Sequence, residues 1–173
     1  MMKWIVVIAG GVALVGGPAA ASEQMQTAKA EFVNMAGESN GSAKLTGTKD
    51  GVLIEVEATG LPAGQWVGFH VHETGKCDAA DKHESAGAHF NPGGKEHGYQ
   101  SANGPHAGDM PNLYVGADGT VRAQDYTSGI RLGEGDTDVI GRAPMIHGGA
   151  DDYQSQPSGK AGASYACAVI VKD

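Results

Sequence analysis

The chain has 173 residues, a length that suits one domain, and its 40% hydrophobic and 18% charged residues are those of a globular protein and exclude a disordered one. Glycine, at 28 residues, is about twice its usual share and disfavours long helices, each interior glycine weakening a helix by about 1 kcal/mol relative to alanine. A formal charge of −8 argues against nucleic acid or an anionic membrane as partner, and seven histidines beside two cysteines and three phenylalanines ask for a reason.

In chain order, Met1-Met2-Lys3 is a short basic start, followed by an apolar run from Trp4 to Val15, a Gly16-Gly17-Pro18 break and a small-residue site, Ala19-Ala20-Ala21. This order reads as a secretory signal peptide over residues 1–21, because the run is well short of the ~20 residues a membrane span needs. The mature domain is then residues 22–173, free of the membrane once the leader is removed, and one unit more acidic for the loss of Lys3. Export makes Cys77 and Cys167 most simply one disulfide, which in the loop-entropy model contributes roughly 4 kcal/mol.

Strand signals follow one another through the mature chain. Residues 27–34 are the first. Asp50-Gly51 separates residues 43–48 from 52–58, and Asp118-Gly119 precedes 120–126; both pairs are strong hairpin signals. Within 52–58, Val52, Ile54, Val56 and Ala58 share one face while Glu55 and Glu57 point the other way, the period of a half-buried antiparallel strand. Residues 66–72, 129–132, 139–146 and 165–172 complete about eight strands. The expectation is an all-β, eight-stranded antiparallel Greek-key sandwich or barrel of immunoglobulin-like type. Two polar stretches, residues 73–112 and 148–163, break the pattern; loops of that length in a compact domain are usually functional or disordered.

The histidines favour function. His70 and His72, two apart on a strand, leave the same face. His89, His97 and His106 lie in the first long loop with Asp109 close behind, and His147 ends a strand. Imidazole suits copper and zinc, and a mixed imidazole and carboxylate set suits zinc, so the pattern points to a one- or two-metal site.

The segments Gly68-Phe69-His70-Val71-His72-Glu73, Ala86-Gly87-Ala88-His89-Phe90-Asn91-Pro92, His97-Gly98, His106-Ala107-Gly108-Asp109-Met110-Pro111-Asn112, Gly141-Arg142 with His147, Asp151-Asp152 and Ala166-Cys167 resemble the copper/zinc superoxide dismutase family. The resemblance runs in order across nearly the whole mature chain. It implies copper held by His70, His72, His89 and His147, and zinc held by His89, His97, His106 and Asp109, so that His89 bridges the two metals. It implies that Asp151 links a copper histidine and a zinc histidine, here His70 and His97, and that Cys77 and Cys167 are the family's disulfide. Asp152 is read as a solvated loop charge and His83, which matches no ligand position, as a surface residue.

The implied reaction turns superoxide into oxygen and hydrogen peroxide, with copper alternating between oxidation states, zinc structural, and His89 supplying a proton. The chain departs from the family where an arginine three residues before the second cysteine orients the anion: Ser164 stands there, and the loop from Asp151 to Ser164 is short. Three readings are open: Lys160 supplies the missing charge, turnover is slower, or the protein is a dismutase-like copper and zinc binder of low activity. The expected location is the periplasm or the exterior. Family members form different dimers or none, which leaves a homodimer open.

Overall fold

The computed structural model describes residues 1–2, 25–133 and 135–173. The expected leader, residues 1–21, lies outside the described residues apart from Met1 and Met2. The described residues form ten strands and two short 3-10 turns: β1 Thr27–Asn34, β2 Ser39–Gly47, β3 Val52–Ala58, β4 Trp66–Val67, β5 Phe69–His72, β6 Leu113–Tyr114, β7 Val121–Thr127, β8 Ala143–His147, β9 Ser164–Cys167 and β10 Val171–Lys172, with the turns at Ala79–Asp81 and Glu84–Ala86.

Period-two patterning decides the main sheet. In β1, Ala28, Ala30 and Phe32 are fully buried while Lys29 and Glu31 face out. In β3, Val52, Ile54, Val56 and Ala58 are buried in the same manner. Antiparallel register sets these faces against one another, with Ala30 opposite Ala43 and Ala43 opposite Val56, so one side of the sheet becomes continuous core. The sheet has eight strands in the order β5-β8-β9-β1-β2-β3-β7, with β10 also on β1, and it curls into a half-barrel. A return strand, β9, lies beside β1 and its successive partners β2 and β3, which is the Greek-key order. A separate ribbon pairs β4 with β6.

Several strand expectations are corrected. The expected strand 66–72 divides at Gly68, whose N–H bonds the Gly149 carbonyl while its own carbonyl accepts from the His147 N–H, so β4 belongs to the ribbon and β5 to the main sheet. Residues 129–132 form no strand; Ile130 and Leu132 are buried, but the Arg131 N–H closes a local loop on Thr137. Their apolar pattern marked core without marking a ladder. Residues 139–146 shorten to β8, residues 165–172 split into β9 and β10, and β6 was not foreseen because it has only two residues.

The two long connections are as expected: no strand occurs between β5 and β6 or between β8 and β9. Cys77 and Cys167 are joined, with their Cα atoms 5.5 Å apart, so the first of these loops is tied to β9. His83 is a correction. It is 1% exposed, buried rather than on the surface, because the backbone turn made by Lys82 and His83, both at positive φ, folds the ring inward.

Candidate metal centre

All four residues of β5 are buried, because both edges and both faces of this short strand are covered. One edge pairs with β8, setting His70 opposite Met145 and His72 opposite Ala143. The other edge receives the first long loop: the Phe90 N–H bonds the Val71 carbonyl, the Val71 N–H bonds the Gly108 carbonyl, and the Gly108 N–H bonds the Phe90 carbonyl. These contacts place His89 beside His72 and Asp109 beside His70 as isolated bridges. Loop residues far apart in sequence therefore reach the site through ordinary backbone pairing to one strand.

Two clusters result. In the first, His70, His72, His89 and His147 are all buried, and one ligand atom from each lies within 4.8 Å of the others. The protein already occupies one nitrogen on three of these rings. His70 Nε2 bonds Asp151 Oδ2 at 2.8 Å, His72 Nδ1–H donates to the Gly87 carbonyl at 2.8 Å, and His89 Nδ1 lies 2.9 Å from Asp109 Oδ1. The nitrogens left over converge: His70 Nδ1 and His89 Nε2 are buried without a partner, and His72 Nε2 stands 3.5 Å from His147 Nε2. Buried polar atoms are normally paired, so four imidazole nitrogens turned toward one point fit a metal such as copper. Burial, with the neighbouring rings, lowers His70 to about 4 and His72 to about 3, and holds His147 well below the usual histidine range. All three are neutral at pH 7, the form that binds a metal.

The second cluster is His89, His97, His106 and Asp109. Asp109 Oδ1 collects three ring nitrogens, the Nδ1 atoms of His89, His97 and His106, at 2.9, 3.0 and 3.4 Å. Its Oδ2 is fixed by the N–H groups of Gly98 and His106, at 2.8 and 2.9 Å. Burial works against this carboxylate's charge, but the bonds from His89, His97 and Gly98 hold it well below the usual carboxylate range. Three imidazoles and one carboxylate form a donor set that fits zinc.

Asp151 joins the clusters. Its carboxylate is 1% exposed, with Oδ2 on His70 and Oδ1 on His97 Nε2 at 3.0 Å. Burial opposes protonation of His97, yet the carboxylates of Asp109 and Asp151 outweigh it and raise the ring to about 9. Asn112 fixes Asp151 in turn: its Nδ2 donates to the Asp151 carbonyl and its Oδ1 accepts from the Asp151 N–H, both at 2.9 Å.

The remaining sequence candidates lie at the margin. Ser164 begins β9 directly opposite His147 in the β8–β9 register. Lys160 is exposed, and its Nζ lies 3.5 Å from Asp152 Oδ2. Asp152 is more than a solvated charge: it accepts from the Ser155 N–H at 2.8 Å and Oγ at 2.6 Å, bonds that lower its carboxyl to about 2. Sequence reasoning assigned no role to Asn112, Tyr153, Gln156 or the Gly87 carbonyl. Asn112 stood within a recognised motif, but backbone groups and loop amides carry no pattern of their own.

A family model described as copper/zinc superoxide dismutase (SODC) matches residues 39–170. Two curated relatives come from Aquifex aeolicus. Superoxide dismutase [Cu-Zn] 1 is 46% identical over 82% of this chain and 85% of its own length, and superoxide dismutase [Cu-Zn] 2 is 43% identical over 98% of this chain and 99% of its own. The crystal structure of a SOD-like protein from Bacillus subtilis superposes with a TM-score of 0.79 at 38% identity, covering 83% of this chain and 97% of that one. Fold, paired clusters and these likenesses agree: the chain belongs to the copper/zinc superoxide dismutase family.

Proposed function

We propose that this chain is an exported copper/zinc superoxide dismutase, with residues 22–173 as the mature domain and His70, His72, His89 and His147 holding copper. His89, His97, His106 and Asp109 hold zinc. The observation that carries the reading is that His89 belongs to both clusters, with Nδ1 turned to Asp109 and Nε2 to the all-histidine group. A protein that only stores metal has no need of one ring shared between two sites. The matches to superoxide dismutases at 43–46% identity favour this enzyme over the low-activity binder that Ser164 left open.

Two superoxide anions and two protons become one oxygen and one hydrogen peroxide. When bound, copper supplies a one-electron couple for both half-reactions, and zinc supplies a fixed positive charge. The residues do the rest. His89 holds and releases a proton at Nε2, the nitrogen that no protein group occupies. Nδ1 of that ring is turned to the Asp109 carboxylate, the side on which zinc would be held, which leaves Nε2 as the nitrogen free for the proton. Gly87, through its carbonyl, aims His72 Nε2 inward, and Asp151 aims His70 Nδ1. Ser164, beside His147, stands where the family's arginine orients the anion, and Lys160 supplies the attracting charge from the short loop. The exposed Lys160–Asp152 pair is weak enough to yield to an approaching anion. The Cys77–Cys167 bond suits an oxidising compartment, the periplasm or the exterior.

The test is superoxide decay by the mature chain loaded with both metals. Copper-dependent decay is expected, faster in Ser164→Arg, because a guanidinium offers a fork of donors that a hydroxyl lacks, and slower in Lys160→Ala. Absence of copper-dependent decay in the parent contradicts the enzyme. An unchanged rate in Lys160→Ala removes Lys160 from the account.

A further inference from the structure

His97 differs from the other histidines of the two clusters in how its main chain is held. It belongs to no strand or helix, and both its ring nitrogens are committed, Nδ1 to Asp109 and Nε2 to Asp151. Its peptide groups are bound by a side chain from the other long loop. Gln156 Oε1 accepts from the His97 N–H at 2.8 Å, and Gln156 Nε2 donates to the His97 carbonyl at 2.9 Å. Only a primary carboxamide presents a neutral donor and a neutral acceptor side by side, so asparagine and glutamine alone can imitate a neighbouring strand in this way. The same Nε2 reaches Gln154 O at 3.0 Å and Ser101 Oγ at 3.3 Å, and the Ser101 hydroxyl also donates to the His97 carbonyl.

Two close approaches support the clamp. Gly98, at φ +94°, presses against the Tyr153 carbonyl, and Gly159, at φ +66°, lies over the hydrogen bond between Asp151 and His97; a Cβ at either glycine would collide. The loop of residues 148–163 thus holds His97 at three places: Asp151 at the ring edge, Gln156 at the backbone and Gly159 over the ring's bond to Asp151.

We propose that Gln156 is a positioning residue for zinc: by fixing the main chain of His97 it sets the direction of Nδ1. The inference rests on the two-metal reading of the site and adds to it a residue that touches neither metal. Partners one step removed from a metal ligand typically change affinity ten- to a hundredfold. Loss of the two-point clamp in Gln156→Ala therefore weakens zinc binding about tenfold or more. Gln156→Asn, one methylene shorter, fails to restore it. Ser101→Ala removes only one of the two donors to the His97 carbonyl and weakens zinc by less than Gln156→Ala.

The test is zinc affinity of the metal-free full mature chain, by competition with a chromophoric chelator, alongside the unfolding temperature before and after zinc addition. The expected result is weaker zinc affinity and a smaller zinc-induced rise in unfolding temperature for Gln156→Ala, with the metal-free unfolding temperature near that of the parent. Parental zinc affinity in Gln156→Ala overturns the proposal. So does a fall in the metal-free unfolding temperature equal to the fall in the zinc-loaded one, which marks a general structural role. A parent that binds no zinc contradicts the two-metal reading itself, an outcome distinct from either.

Discussion

The four strands β1, β2, β3 and β7 and the histidine-bearing loops are built by different physics in one small chain. The strands alternate apolar and polar residues and bury Ala28, Ala30, Phe32, Leu45, Ile54 and Val56 against a common core. The loops hold almost no regular structure, and their order comes from carboxylates, amides and one strand edge: Asp109 on three histidines, Asp151 on two, Asn112 on Asp151. Nonpolar burial does not depend on metal. A buried cluster of histidines and carboxylates is a donor set that a cation completes, because several of its ring nitrogens have no protein partner. The sheet is therefore expected to stand without metal and the loops to be completed by it.

The sharpest way to separate the two regions is to damage one of them. Phe32→Ala, deep in β1, is expected to lower stability by about 3–5 kcal/mol, equally with and without metals, in denaturant unfolding. A loss confined to the metal-loaded protein would break the division. Replacing both Cys77 and Cys167 by serine removes the covalent tie between the first long loop and β9, a loss of roughly 4 kcal/mol measured the same way.

Acid distinguishes the regions without mutation. His70 and His72 are held at about 4 and about 3 against an ordinary 6.5, so the unfolded chain takes up protons first as the pH falls. The part of the metal-free protein's stability that depends on His70 and His72 is expected in full above about pH 6.5 and to decline steadily as the pH falls toward 4. His97, raised to about 9, acts in the opposite sense: its contribution is complete below 6.5 and is lost as the pH rises through 9. Phe32→Ala should shift this profile downward without changing its shape, as thermal unfolding at a series of pH values would show.

Smaller effects come from single partners. Asp151→Asn keeps the shape of the bridge but cannot accept from both His70 and His97 as a carboxylate does. Zinc affinity is expected to fall about ten- to a hundredfold in chelator competition. At the quiet end, Lys44→Ala breaks only the exposed pair with Glu55 on the outer face of the sheet, and stability should change by no more than about 0.5 kcal/mol.

The same contrast explains what could be read from sequence. Strands β1 and β3 were legible to the residue, because alternation and the Asp50-Gly51 turn act locally. Residues 129–132 misled because buried Ile130 and Leu132 satisfy a strand pattern without a ladder partner. At the site, the structure brings together the histidines and Asp109 that the resemblance and the rarity of such a pattern singled out. The hands that hold them were not: the Gly87 carbonyl, the Asn112 amide and the Gln156 clamp depend on contacts between segments up to 59 residues apart. His83 was misread because exposure depends on how its turn closes, and a polar stretch gives no sign of that.

The proposed centre turns on one ring, His89, serving two different metals. Anomalous diffraction from crystals of the mature protein loaded with copper and zinc, collected at both absorption edges, tests it most directly. Two peaks are expected on opposite sides of His89: copper at Nε2, among His70, His72 and His147, and zinc at Nδ1, among His97, His106 and Asp109. A single metal peak, or peaks that leave either nitrogen of His89 uncoordinated, would contradict the account.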